Sequence, residues 1–300
     1  PEHLHLGTDV GVVIVEILRL LGKPGDRVVI TTPVYPAFAY WIKEVHMEVD
    51  ERPLIEENGN WCLDFEAIER AFADGAKFFL MSSPHNPLGL IYSKEDLAKL
   101  AELAKAHGVV IISDEIHAPL TYNARDFTPF LNVSDVAREV GICITSASKA
   151  FNLAGLKCAM IITGNQSLKE KINSMPIAVG YRASLFGAVA SAVAYECADW
   201  LDSAIATMES NRRFLANLLS KELPNVGYRI PDFSYLAWLD LKKLNLGENP
   251  SDVLLEKGKL AVNAGVMFGA ESASFVRLNF ATSEEIISEA ISRMVSCVEK

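Results

Sequence analysis

Paired cysteines are missing from this sequence. The chain has five cysteines, Cys62, Cys143, Cys158, Cys197 and Cys297, and no two of them have the CxxC spacing of a redox or metal motif. They are scattered and lie mostly in apolar or helical contexts. This pattern fits neither a disulfide framework nor a zinc site. We therefore expect reduced thiols in the core, no metal site and a cytoplasmic location.

Long runs of one kind of side chain are also missing. The 28 basic and 38 acidic residues give a formal net charge of −10, and no cluster of Lys and Arg is visible. A basic surface for nucleic acid or membrane lipid is therefore not expected. No apolar run reaches the length of a membrane span, and the first residues, Pro-Glu-His-Leu-His-Leu, lack the features of a secretory signal. These absences predict a soluble, unsecreted protein.

The chain instead repeats an order of strand, loop and helix. Apolar runs at residues 28–32, 77–81, 109–112, 142–145 and 159–163 alternate with loops and helix patterns. This order predicts an α/β fold with a mostly parallel sheet flanked by helices. Because 300 residues exceed one compact core, we expect a large domain over residues 1–195 and a small α+β domain over 196–300.

Several helix ends can be predicted. Residues 8–22 form one helix pattern, with Thr8 or Asp9 as N-cap and Gly22 in the left-handed conformation at its end. A second helix is predicted over 61–72, with Asp64 as a possible cap, and a third from Ser93 to 107 before a glycine. Residues 186–223 read as almost unbroken helix with a possible bend near Ser203, and a closing helix follows Ser283.

The segment from Ser146 to Lys157 carries the first candidate for chemistry. Lys149 stands among small residues directly after an apolar run, which predicts a tight turn at the end of a buried strand. A lysine that loses hydration there becomes a neutral amine able to attack a carbonyl. Ser146, Ser148 and Lys157 offer hydroxyls and a second cation to a phosphate monoester. A surface turn with two incidental lysines is an equal alternative.

Other polar residues also follow predicted strands. Asp114 comes directly after the run 109–112, where open α/β sheets bind ligands. Comparable loops contain His117, Asn86 and Tyr35. Each also has an ordinary explanation: His117 could be a capping or surface residue, Asn86 could belong to a proline-rich turn, and Tyr35 could simply pack against its neighbours. Arg277 is a lone cation in an apolar strand. It could hold a carboxylate by two parallel hydrogen bonds or point outward from an edge strand.

Three motifs occur in a recognisable order. Ser-Pro-His-Asn-Pro-Leu-Gly at 83–89, Ser-Asp-Glu-Ile-His at 113–117 and the Ser146–Lys157 segment together resemble the pyridoxal-phosphate enzymes of the aspartate aminotransferase fold type. Within that fold type the chain is most similar to the cystathionine beta-lyase branch, the MalY/PatB-like C-S lyases. The resemblance runs from about residue 6 to about residue 289.

The resemblance assigns a role to each candidate. It implies that Lys149 forms the covalent link to pyridoxal 5'-phosphate and that Arg277 binds the carboxylate of an amino-acid substrate. The resemblance also implies that the pyridine ring stacks on Tyr35, that Asn86 binds the phenolate oxygen, and that Asp114, supported by His117, binds the ring nitrogen. The residues that it implies for the phosphate are Val10, Gly11, Ser146, Ser148 and Lys157. Many relatives have Gly-Val-Val where this chain has Asp9-Val10-Gly11, and a carboxylate there would repel the phosphate unless Asp9 turns away to cap the helix.

The implied activity is that of a C-S beta-lyase. It would cleave cysteine thioethers to a thiol, pyruvate and ammonia, with an aminotransferase as the alternative. A silent regulator that keeps the cofactor fold also remains open, because fold alone does not fix function. The resemblance further implies a homodimer. Because relatives carry a further N-terminal segment, we also expect this chain to be a fragment.

Overall fold

The computed structural model describes residues 2–57, 60–123 and 126–298. Within these ranges the strands are β1 (Leu4–Gly7), β2 (Arg27–Ile30), β3 (Glu48–Glu51), β4 (Ile55–Glu57), β5 (Asn60–Cys62), β6 (Phe78–Ser82), β7 (Val110–Asp114), β8 (Gly141–Thr145), β9 (Ala159–Thr163), β10 (Gly227–Tyr228), β11 (Leu236–Asp240), β12 (Asn263–Ala264) and β13 (Phe275–Asn279). The helices are α1 (Val10–Leu21), α2 (Ala37–Glu44), α3 (Phe65–Ala73), α4 (Lys94–His107), α5 (Asp135–Val140), α6 (Ala147–Ala150), α7 (Gln166–Asn173), α8 (Ile177–Tyr181), α9 (Leu185–Glu196), α10 (Ala198–Glu222), α11 (Pro250–Glu256) and α12 (Glu284–Val298).

The central sheet has seven strands in the order β1-β9-β8-β7-β6-β2-β3. The pairs from β8 to β3 are all parallel, whereas β9 is antiparallel to both of its neighbours. All five residues of β6 and four of the five in β7 are buried. Burial on both faces explains their continuous apolar sequences, because helices cover both sides of such a sheet. The predicted α/β fold with a mostly parallel sheet is confirmed.

Two hydrophobic clusters lie against this sheet. Helices α1 and α2 belong to one cluster, and α3, α4 and α5 belong to the other. Helix α1 buries Val13, Ile14, Ile17 and Leu18 completely, at the spacing of one helical face. Each such side chain stabilises the fold by roughly 1.5–3 kcal/mol relative to exposure. This packing fixes the start of α1 against the sheet.

The C-terminal part forms a second, antiparallel sheet in the order β10-β11-β13-β12. Its core includes residues of α10 and α12, and it also takes in Ala147, Ala150 and Phe151 from the region of α6. The expected α+β character of this part is therefore present. The boundary at 195/196 stays a prediction. Among the described residues, no helix combines the length and the apolar character needed to cross a membrane.

Several local predictions are confirmed at helix ends. Asp9 caps α1, since its Oδ1 accepts a hydrogen bond from the Val12 amide at 2.9 Å. Asp64 caps α3 in the same way, through the Ala67 amide at 2.9 Å. Ser93 caps α4, which ends at Gly108 in the left-handed conformation.

Other local predictions are wrong. Gly22 has φ −128° rather than the left-handed conformation. Trp61 lies in β5 instead of a helix, and its ring packs 6.5 Å from that of Phe275, a contact that helix periodicity does not reveal. The long helix breaks at Cys197 and not near Ser203.

The cysteines are unpaired, but not all of them lie in the core. Cys143, Cys158 and Cys297 are buried, whereas Cys62 is half-buried and Cys197 is exposed. The exposure of Cys197 follows from its position at the break between α9 and α10.

Candidate active site

One cavity of about 480 Å³ collects all of the predicted site residues. It lies where β7 and β8 end, and its wall also includes the start of α1 and residues of β13 from the second sheet. The predicted residues that line it are Val10, Gly11, Tyr35, Asn86, Asp114, His117, Ser146, Ser148, Lys149, Lys157 and Arg277. Residues far apart in sequence therefore share a space of the size that small-molecule ligands occupy.

Lys149 lies in the single helical turn α6 that follows β8. Ser146 caps this turn: its hydroxyl accepts from the Ser148 amide at 3.1 Å and donates to the Cys158 carbonyl at 2.6 Å. Buried Ala147 and Ala150 anchor the turn in the C-terminal core. The side chain of Lys149 is exposed to the cavity, so the expected loss of hydration is wrong for this single chain. A phosphate contact from Ser146 would require its bond to Cys158 to break.

Asp114 is the last residue of β7 and is only 6% exposed. Its Oδ1 accepts a hydrogen bond from the Ile116 amide at 3.1 Å. Burial raises the pKa of Asp114 to about 7, while that amide and the positive charge of Lys149 act in the opposite direction. A cation bound beside this carboxylate would therefore stabilise its ionised form.

His117 is buried next to the same strand end. Its Nδ1 lies 3.4 Å from the Ser234 hydroxyl, and its ring packs against those of Phe233 and Tyr235. Burial, followed by the positive charges of Lys149 and Arg277, lowers the pKa of His117 to about 3. His117 is therefore a neutral hydrogen-bonding group in this site.

Arg277 joins the two sheets at the cavity. Its Nη1 donates to Asn86 Oδ1 at 2.9 Å, and its Nη2 donates to Asn263 Oδ1 at 2.9 Å. Strand β13 lies between β11 and β12, so the alternative of an outward residue on an edge strand is wrong. Burial lowers the pKa of Arg277 below its ordinary value. Because the oxygen of Asn86 faces Arg277, the amide nitrogen of Asn86 is the group that can donate elsewhere.

The start of α1 carries a carboxylate as well as backbone amides. Asp9 caps the helix through Oδ1, and its Oδ2 lies 3.0 Å from Lys157 Nζ. Asp9 therefore caps α1 and also forms an ion pair with Lys157. A Cβ at Gly11 would lie 2.5 Å from the Trp41 ring, so a larger residue at this position would require that ring to move.

Comparison with known proteins identifies the family. The family aminotransferase class I and II matches residues 1–294. The chain belongs to the class I and II aminotransferase family. A cystathionine beta-lyase of Corynebacterium glutamicum is 37% identical over 277 residues, covering 91% of this chain and 72% of the relative. The cystathionine beta-lyase PatB of Bacillus subtilis is 33% identical, covering 98% of this chain and 77% of the relative.

Solved structures agree with this assignment. A C-S lyase with bound pyridoxal phosphate from Staphylococcus hominis superimposes with a TM-score of 0.92 at 28% identity, over 100% of this chain and 77% of that one. The similarity thus extends through both sheets of this class I and II aminotransferase family member. The aspartate aminotransferase fold expected from the three motifs is confirmed.

Several residues that line the cavity were not predicted from the sequence. Trp41, Tyr235 and Asn263 are the aromatic and polar examples. Tyr35 packs its ring edge-on to that of Trp41 at 5.8 Å, so the two belong to one aromatic wall. Tyr235 directly precedes the apolar strand β11, a position that could have been noticed. Asn263 has no local signal, because only the pairing of β12 with β13 brings it to Arg277.

Proposed function

We propose that this chain is a pyridoxal-phosphate-dependent C-S beta-lyase that cleaves cysteine thioethers such as cystathionine to a thiol, pyruvate and ammonia. One observation carries the proposal: an amine, a buried carboxylate and a guanidinium, from Lys149, Asp114 and Arg277, line the same cavity. The names and structures of the relatives support the same activity.

The residues present fit pyridoxal phosphate. The buried Asp114 carboxylate, whose pKa is raised by burial, would gain a partner in a protonated pyridine nitrogen. The amide nitrogen of Asn86 could donate to the phenolate oxygen, because its oxygen is already bound to Arg277. Lys157, Ser148 and the start of α1 offer a cation, a hydroxyl and backbone amides to the phosphate. When bound, the cofactor supplies an electron sink for the carbanion of the substrate.

The residues of this chain would divide the remaining work between them. Arg277 would hold the substrate carboxylate by paired hydrogen bonds and so fix the direction of the Cα–H bond. Lys149, an exposed residue that lines the cavity, would take the Cα proton through its Nζ. A thiolate would then leave from Cβ, and hydrolysis of the three-carbon remainder would yield pyruvate and ammonia. His117, whose pKa is lowered to about 3, would remain neutral beside the cofactor ring.

The product decides between this proposal and its alternatives. With L-cystathionine and no keto acid, we expect homocysteine, pyruvate and ammonia in equal amounts. An aminotransferase would instead turn over only with a 2-keto acid acceptor. A silent protein would bind the cofactor and form neither product. Either of these outcomes would overturn the lyase assignment.

A lysine substitution tests the centre of the site. The wild-type protein should show a visible absorbance with pyridoxal phosphate that borohydride fixes to Lys149. Lys149→Ala should abolish the reducible adduct. The matched control Lys105→Ala, at a surface ion pair with Glu139, should keep it. A reduced label on a different lysine would contradict the assignment.

We also propose that the protein is a homodimer. The support is an exposed apolar surface on α8 and α9, where Tyr181 is 81%, Phe186 80% and Leu185 74% exposed. Large exposed apolar surfaces of this kind are typical of protein interfaces. Light scattering should give twice the mass of the chain, and Phe186→Glu should shift it towards the monomer. A monomeric wild-type protein would contradict this proposal.

We further propose a cytoplasmic location. It is supported by the five unpaired cysteines, since oxidising compartments favour disulfides. Cell fractionation would test it, and recovery in a secreted fraction would contradict it.

A further inference from the structure

The Asp9 carboxylate lies between two groups that attract anions. Its Oδ1 accepts from the Val12 amide at 2.9 Å, and its Oδ2 lies 3.0 Å from Lys157 Nζ. Both side chains line the cavity, and both are partly exposed, with 37% and 55% of their side-chain surfaces accessible. Asp9 therefore already binds the ammonium group of Lys157 and the Val12 amide at the start of the helix.

A phosphate monoester at this place would need the same groups. Helix starts bind phosphate through free amides, helped by nearby cations. In the first turn of α1, the Val12 amide is bound by the Asp9 side chain and the Val13 amide by the Asp9 carbonyl at 3.0 Å. The amides of Val10 and Gly11 are then the ones that remain for a ligand. The ligand also meets a fixed negative charge.

We propose that Asp9 is an affinity-setting residue, whose carboxylate competes with the phosphate of the cofactor for Lys157. This inference rests on the proposed cofactor. A phosphate monoester carries a charge of about −1.5 to −2 at pH 7, so the Asp9 carboxylate would repel it. Because the pair is partly exposed and screened, the effect is modest: removing the charge should tighten binding about 3- to 10-fold.

Asp9→Asn tests the charge while keeping the cap, because an asparagine oxygen caps a helix as well as an aspartate does. The matched control is Asp64→Asn, which changes a second N-cap aspartate with the same 2.9 Å bond at α3. Titrating the cofactor-free proteins with pyridoxal phosphate should give tighter binding for Asp9→Asn and unchanged binding for Asp64→Asn. Unchanged or weaker binding by Asp9→Asn would overturn the proposal. Should Asp9→Asn fail to fold, Asp9→Ser provides the same test.

Two further measurements separate this inference from the proposed function. Pyridoxal without its phosphate should bind wild type and Asp9→Asn equally, and inorganic phosphate should compete more strongly in the variant. An equal gain for pyridoxal would overturn the role of the phosphate. In a Lys157→Gln background the gain from Asp9→Asn should shrink, and an undiminished gain would overturn the competition for Lys157. Wild type that forms no adduct with pyridoxal phosphate would instead contradict the proposed function.

Discussion

Asp114 and Asp9 line one cavity but meet different surroundings. Asp114 ends a central strand, is 6% exposed, and has a pKa raised by burial to about 7. Asp9 begins a helix, is partly exposed, and already binds an amide and an ammonium group. A buried carboxylate whose charge is disfavoured is suited to a ligand cation, whereas a carboxylate with its own cation opposes a ligand anion. Two aspartates in one cavity are thus expected to have opposite effects on ligand binding.

The largest effect should come from removing the charge of Asp114. Asp114→Asn keeps the shape but cannot hold the proton of a ring nitrogen, and losing one partner of a buried charge pair costs about 3–5 kcal/mol. We expect kcat/KM for cystathionine to fall about 10²- to 10⁴-fold. The control Asp135→Asn changes an exposed aspartate of α5 and should leave activity unchanged. A fall in kcat/KM of less than tenfold at full cofactor occupancy would contradict the role of Asp114 as the partner of the ring nitrogen.

A smaller effect is expected at the guanidinium. Arg277→Lys keeps the charge but loses the planar fork that contacts Asn86 and Asn263. Losing a charged hydrogen bond corresponds to about 1.5–3 kcal/mol, so kcat/KM should fall about 10- to 100-fold. Arg293→Lys, in an ion pair with Glu289 on α12, should have no effect. Equal activities of the two variants would contradict the role of Arg277 in binding the substrate carboxylate.

The pH dependence of stability should report the buried state of Asp114. Burial raises the pKa of the Asp114 carboxyl from its ordinary 3.8 to about 7, so the folded state keeps this proton to a higher pH than the unfolded state does. Its contribution to stability is therefore present at low pH and is lost as the pH rises from about 4 to about 7. Cofactor-free Asp114→Asn should accordingly gain a few degrees in Tm relative to wild type over this range.

The contribution of His117 to stability should change with pH in the opposite direction to that of Asp114. Its pKa is lowered to about 3, so its contribution is present above about 6.5 and is lost as the pH falls towards about 3. The comparison with Asp114→Asn keeps His117 constant. A difference in Tm that did not change with pH would contradict the buried state of Asp114.

The smallest effect should come from a hydroxyl at the phosphate side. Ser148→Ala removes one neutral donor, and a net hydrogen bond of about 0.5–1.5 kcal/mol corresponds to about 2- to 10-fold weaker cofactor binding. Ser288→Ala on the exposed face of α12 should not change it. A loss of more than 100-fold would contradict a contribution of this size from the hydroxyl.

The sequence allowed the central part of the site to be predicted because that part is local. Lys149, Asn86 and Asp114 each stand at or just beyond the end of an apolar strand, and neighbouring strands in the sheet bring such ends together. The helix caps at Asp9, Asp64 and Ser93 are local as well, since each satisfies an amide three residues ahead. Motif and cap patterns contain this information directly.

The remaining features depend on contacts between distant segments. The pairing of Asp9 with Lys157 joins residues 148 positions apart, and the bond of Arg277 to Asn86 spans 191 positions. Trp61 was predicted to lie in a helix because its contact with Phe275, far away in the sequence, does not appear in the local spacing of apolar residues. The hydration of Lys149 was also predicted wrongly, because small neighbours in sequence do not ensure a closed environment in space.

Strand β9 runs against its neighbours, and this reversal accounts for the pair of amines in the cavity. A parallel successor to β8 would have required the chain to travel to the far edge of the sheet and back. Because β9 is antiparallel, residues 146–158 can remain at the edge where β8 ends. One short stretch of chain therefore brings both Lys149 and Lys157 to the same opening. Inserting residues into this stretch would separate the two amines without altering a single side chain.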